Sequence, residues 1–75
     1  MNYEQRRKSL VGKRIRSTIS ELGGLMYAKG QEGTVLDDLD VVFERIEPDT
    51  VWVQWDSPSA FDGIWVIGLN ELEEV

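Results

Sequence analysis

A chain of 75 residues with neither cysteine nor histidine has to hold itself together by packing alone. No disulfide and no thiolate zinc site is available to staple it. A domain this short buries only a modest core. Hydrophobic residues are 41% of the chain, which argues against disorder. The missing histidine also removes the usual general base and the commonest transition-metal ligand. The length fits one domain. No apolar run approaches the roughly 20 residues of a membrane span, and the N-terminal stretch lacks the apolar core of a signal peptide. A cysteine-free chain of this kind is expected in the cytoplasm.

The residue pattern is mostly β. Asn2 is placed to cap a short helix over Tyr3 to Ser9, with Glu4 in its first turn; a frayed basic arm over residues 1–9 is the competing reading. Leu10 to Arg16 alternates, which predicts a strand with Val11 and Ile15 inward and Arg14 and Arg16 outward. Residues 17–31 form a long connection broken by Gly23, Gly24 and Gly30, with one helical turn placed over Thr18 to Leu22. This loop carries Leu22, Leu25, Met26 and Tyr27 and should fold back on the core. A second strand begins at Gly33-Thr34-Val35-Leu36, turns at Asp37 to Asp40 and resumes over Val41 to Ile46. Glu47 to Thr50 is a tight turn with Pro48 at its second position. Val51 to Trp55 is the clearest strand, with Val51, Val53 and Trp55 on one face. A polar loop over residues 56–63, a strand over Ile64 to Ile67, a 3₁₀ turn over Gly68 to Leu72 and a last strand over Glu73 to Val75 complete the chain.

Five short strands, a long first loop and tight later turns suggest a small closed barrel. Four segments carry a resemblance to SH3-like barrels: Val11 to Arg16, Gly30 to Val35, Val51 to Asp56 and Leu69 to Val75. The Gly-x-x-Gly-Thr-Val segment at residues 30–35 resembles the second strand of KOW-type and Mib-type barrels. It is also similar to that of small photosynthetic accessory proteins, such as the SH3-like stromal component of photosystem I and the variable chain of ferredoxin–thioredoxin reductase. The resemblance implies a five-stranded SH3-like barrel over residues 10–75, closed by a 3₁₀ turn and a final strand. The KOW resemblance implies RNA or ribosome contact where the loops are basic; the matching loops here are acidic.

Charge is divided along the chain. Residues 1–16 carry Arg6, Arg7, Lys8, Lys13, Arg14 and Arg16 against Glu4, a net of +5. The remainder carries Lys29 and Arg45 against thirteen carboxylates, a net of −11. Phosphate attraction scales with positive contacts, so the bulk of the chain is a poor nucleic-acid binder. The basic set is a candidate patch for phosphates or an acidic partner, or else a solvated face balancing the acidic remainder.

The aromatics give the sharpest candidate site. With Val51, Val53 and Trp55 inward, Trp52 points outward, and Trp65 alternates in the same way between Ile64 and Val66. Trp52 and Trp65, joined by Tyr27, would form an aromatic groove for an extended peptide. The alternative is that one or both tryptophans cap the open end of the barrel. Asp37, Asp38 and Asp40 form an acidic face without EF-hand spacing, so no metal is expected there. Asp56 and Asp62 flank a loop with nothing to fix them as a catalytic pair, and Ser57 and Ser59 have no histidine to activate them. Gly30 and Gly33 lack the Lys-Ser/Thr of a phosphate loop and are read as permitting positive φ at a tight strand entry.

These features predict a non-catalytic protein-interaction module or small accessory subunit, with a protein partner, no cofactor and no membrane. A nucleic-acid-associated barrel using the N-terminal cations is the second reading. A small acidic phage-type inhibitor, occupying the nucleic-acid site of its target, is a variant of the first.

Overall fold

The computed structural model describes residues 2–24, 27–41, 47–56 and 63–75. The chain opens on helix α1 (Tyr3–Leu10), followed by β1 (Arg14–Ser17), a 3₁₀ turn (Leu22–Gly24), β2 (Glu32–Val35) and a second 3₁₀ turn (Asp38–Asp40). Strands β3 (Thr50–Trp55), β4 (Ile64–Gly68) and β5 (Leu72–Glu74) complete it. The resumed strand expected over Val41 to Ile46 lies, beyond Val41, outside the described residues, as do Leu25, Met26 and the loop residues 57–62.

The helix forms where its cap predicts. The Asn2 side chain accepts a hydrogen bond from the Gln5 amide at 2.8 Å, and the Gln5 side chain accepts one from the Asn2 amide at 3.1 Å. This reciprocal box satisfies two donors that the first turn would otherwise leave open. The helix runs one residue beyond Ser9, and that displaces the expected first strand. Leu10 becomes the buried residue of the helix, while Val11 is 40% exposed instead of facing the core. Gly12, at φ +81°, turns the chain, and the Lys13 amide closes the turn on the Leu10 carbonyl at 2.9 Å. Alternation therefore starts at Arg14, and Ile15 points inward as expected, fully buried.

The strands form one antiparallel sheet in the order β4-β3-β2-β1-β5. Between β4 and β5 the Glu71 amide bonds the Gly68 carbonyl at 2.9 Å, a single turn where a 3₁₀ turn was expected. That turn joins the two edge strands of the sheet. A flat five-stranded sheet would hold its edges about 19 Å apart, whereas the short link from Gly68 to Leu72 reaches at most about 14 Å. The sheet is therefore curled. It is not closed, because no β4–β5 ladder joins its edges among the described residues.

The core lies inside the curl. Ile15, Val35, Val51, Val53, Trp55, Ile67, Leu69 and Leu72 fill it with Leu10 and Tyr27. The whole chain measures 30 × 25 × 20 Å. No described helix is long and apolar enough to cross a membrane. Trp55 is the largest fully buried side chain. Its indole Nε1 has no hydrogen-bond partner among the described residues, so the ring is held for its apolar area. The long loop does fold back: Tyr27 stacks on Trp55 with ring centroids 4.3 Å apart, and Glu21 bridges Tyr27 in backbone pairing.

Gly30 has the expected positive φ of +87°, but Gly33 does not rely on one. A Cβ on Gly33 would lie 2.6 Å from Val53 Cγ1 and 2.7 Å from the Gln54 carbonyl oxygen. Glycine is required there because β2 and β3 approach closely. Gly33→Ala should lower stability by about 1–3 kcal/mol through overpacking. A urea melt should show this as a reduced midpoint at unchanged slope; an unchanged midpoint would contradict the close approach.

Candidate functional site

The sheet register decides where the tryptophans point. Cross-strand neighbours share a face. Val53 faces Trp65 across the β3–β4 ladder, and Trp52 faces Val66. The two indoles therefore leave the ladder on opposite faces and do not meet as an outward pair. Trp65 packs against the core, beside Ile67. Trp52 does leave on the other face, as its strand predicts, yet it is only 7% exposed. Tyr27, 1% exposed, is buried on Trp55.

The three aromatics nevertheless border one space. An open groove of about 440 Å³ is lined by Tyr27, Trp52 and Trp65, together with Glu21, Glu47, Asp49 and Glu71. Val66, Ile67 and Gly68 continue the lining, so consecutive residues of the edge strand β4 contribute from both of its faces. The backbone explains how the parts assemble. The Glu21–Tyr27 bridge brings the long loop to one side. The turn after β4 supplies Glu71, tied to the loop by the Thr18 amide and hydroxyl, each 2.9 Å from the Glu71 carbonyl oxygen. The turn before β3 supplies Glu47 and Asp49; the Thr50 hydroxyl donates to the Glu47 carbonyl at 2.8 Å, and the Leu69 amide donates to the Asp49 carbonyl at 2.8 Å.

All the charged residues in the described lining are acidic. Among the described residues none of these four carboxylates forms an ion pair. Their field is felt at Tyr27, whose hydroxyl is pushed well above the ordinary tyrosine range by burial first, then by Glu21 and Glu71.

The N-terminal cations are arranged in the opposite way. Strand β1 lies between β2 and β5, and its arginines are met by carboxylates from both sides. Arg14 makes a two-pronged contact with Asp56, lies 3.6 Å from Glu32 and donates to the Thr34 hydroxyl at 2.9 Å. Arg16 is 3.6 Å from Glu73, and Lys13 is 3.5 Å from Glu74. Lys8 pairs with Glu4 at 3.1 Å, Arg6 contacts Asn70 Oδ1 at 3.4 Å, and Arg7 donates to the Pro48 carbonyl. Exposed pairs add little stability, but they occupy the positive charge. The six residues are one paired stripe plus a helix dock, not an open cationic face.

The remaining candidates are structural where described. Asp37 caps the second 3₁₀ turn, its carboxylate accepting from the Leu39 amide at 3.1 Å. Asp38 is exposed on that turn. The Asp40 side chain, Asp62, Ser57 and Ser59 lie outside the described residues. Asp56 is taken up by Arg14. Sequence reasoning missed Glu21, Glu47, Asp49 and Glu71; the signal was the absence of cations between Asp49 and Val75 and their near-absence from the long loop. Comparison with protein-family models, curated proteins and solved structures finds no match.

The Arg14 guanidinium hydrogen-bonds and attracts the Asp56 carboxylate, holding it below the usual carboxylate range. A lowered value favours the folded state above the unfolded pKa of about 3.9. That contribution is lost as pH falls through the folded value. Carbon-detected NMR titration should find Asp56 titrating below the usual carboxylate range, and Arg14→Met should return it toward that range. An Asp56 curve unmoved by Arg14→Met would contradict the pairing.

Proposed function

We propose that the chain is a non-catalytic protein-interaction module or accessory subunit, an SH3-like barrel that holds a protein partner across the groove of Tyr27, Trp52 and Trp65. The observation that carries this reading is the joint lining of that groove. Three large aromatics from two strands and a loop border one open space, and its charged rim is acidic and unpaired among the described residues. Aromatic anchors inside a polar rim are the usual composition of a binding hot spot. The curled sheet and the tight β4–β5 turn support the barrel reading.

The pairing of Lys13, Arg14 and Arg16 with acidic neighbours favours this over nucleic-acid binding. Phosphate contacts would have to displace carboxylates already seated on those cations. The lack of histidine and cysteine supports a non-catalytic role.

Affinity capture from the native host, compared across variants, tests the reading. Trp65→Leu and Glu47→Gln/Asp49→Asn should each lose the captured protein while the variants stay folded by circular dichroism. Arg14→Gln/Arg16→Gln should keep it. A partner lost only in the arginine variant would overturn the groove as the binding surface. A gel shift at low salt with single- or double-stranded probes would favour the nucleic-acid reading.

A further inference from the structure

We propose that the groove receives a cationic side chain, best an arginine, carried on an extended segment of the partner protein. This rests on the reading above and names the chemistry the groove selects. Three features carry it. The first is shape: about 440 Å³ in an open groove is ample for one long side chain and part of its backbone. The second is the wall, made by Tyr27, Trp52 and Trp65, whose ring faces attract cations electrostatically. The third is charge complementarity. Glu21 and Glu71 come from the loop and the β4–β5 turn, while Glu47 and Asp49 come from the turn before β3, so acidic groups approach from separate elements. None has a cation among the described residues, although the same fold seats Glu4, Glu32, Asp56, Glu73 and Glu74 on cations elsewhere.

A neutral apolar segment would leave these carboxylates facing a drier, lower-dielectric contact with no compensation. A cation offsets that cost. Arginine fits better than lysine because its planar guanidinium stacks on an aromatic face and presents several donors in one plane to carboxylates. The apolar stem of the side chain would lie along Val66 and Ile67, with the charged head at the rim. An acidic partner is repelled by the same arrangement, so the rim sets specificity as well as affinity.

The test uses the full chain and three blocked pentapeptides that differ only at the central residue: arginine, lysine or citrulline, the neutral isostere of arginine. Binding is followed by ¹H–¹⁵N correlation spectra. The arginine peptide should shift the indole signals of Trp52 and Trp65 and the amides of Gly68 and Glu71, leaving Arg14 and Arg16 unmoved. The citrulline peptide should bind at least about tenfold more weakly, with lysine between them. Glu21→Gln/Glu71→Gln should weaken the arginine peptide by about fivefold and leave the citrulline peptide unchanged. Equal binding of arginine and citrulline peptides at the groove would overturn the cation preference while leaving the groove as a protein-binding surface. No shift from the arginine peptide at millimolar concentration would also overturn it. The groove reading itself fails separately, if the Trp65→Leu variant still captures the partner.

Discussion

The stack of Tyr27 on Trp55 is the contact on which the rest of the arrangement depends. Its centroids lie 4.3 Å apart and its planes are inclined by 21°, an offset geometry that aromatic pairs favour. Without it, the connection from Thr18 to Gln31 would have little to hold it to the sheet. With it, Tyr27 becomes core and Glu21 comes to the side of the groove. Removing Trp55 would cost about 3–5 kcal/mol. A domain of this size has only roughly 4–11 kcal/mol in total. The groove must therefore be dissected from its rim, since its foundation is also the fold's.

Electrostatics then divides the molecule by function. The order β2-β1-β5 puts a basic strand between two acidic ones, so neighbouring charges satisfy one another along the ladder: Arg16 is in register with Glu32 on one side and Glu73 on the other. The net +5 of the first sixteen residues is taken up there and at the helix dock. What remains is negative charge, and the structure gathers four of those carboxylates around its aromatic recess. An unpaired rim adds nothing to folding and slightly opposes it by self-repulsion. Its retention makes sense as a surface for a partner.

Some of this was legible in the residues and some was not. The Asn2 cap, the inward Val51, Val53 and Trp55, the folded-back loop and the paired fate of charge runs followed from local chemistry. The phase of Trp65 did not. Ile64, Trp65, Val66 and Ile67 are all apolar, so alternation has no polar residue to mark which side is out. Only the register against β3 sets it, and one residue of slip exchanges the faces. Trp52 illustrates a second limit: a strand pattern gives orientation, while exposure depends on what covers that face. Val11 fell to a third, because Leu10 serves the helix and Gly12 turns the chain before the strand begins. The four rim carboxylates come from different turns, and nothing local to each one announces the others.

The long loop, seated on the core, is what builds the groove, and solution NMR of the free protein tests this most directly. Nuclear Overhauser contacts should connect the Tyr27 ring protons to the Trp55 indole, with the Tyr27 resonances displaced by the indole ring current. Tyr27 ring signals at unstructured positions, without contacts to Trp55, would contradict the seating of the loop and the groove that depends on it.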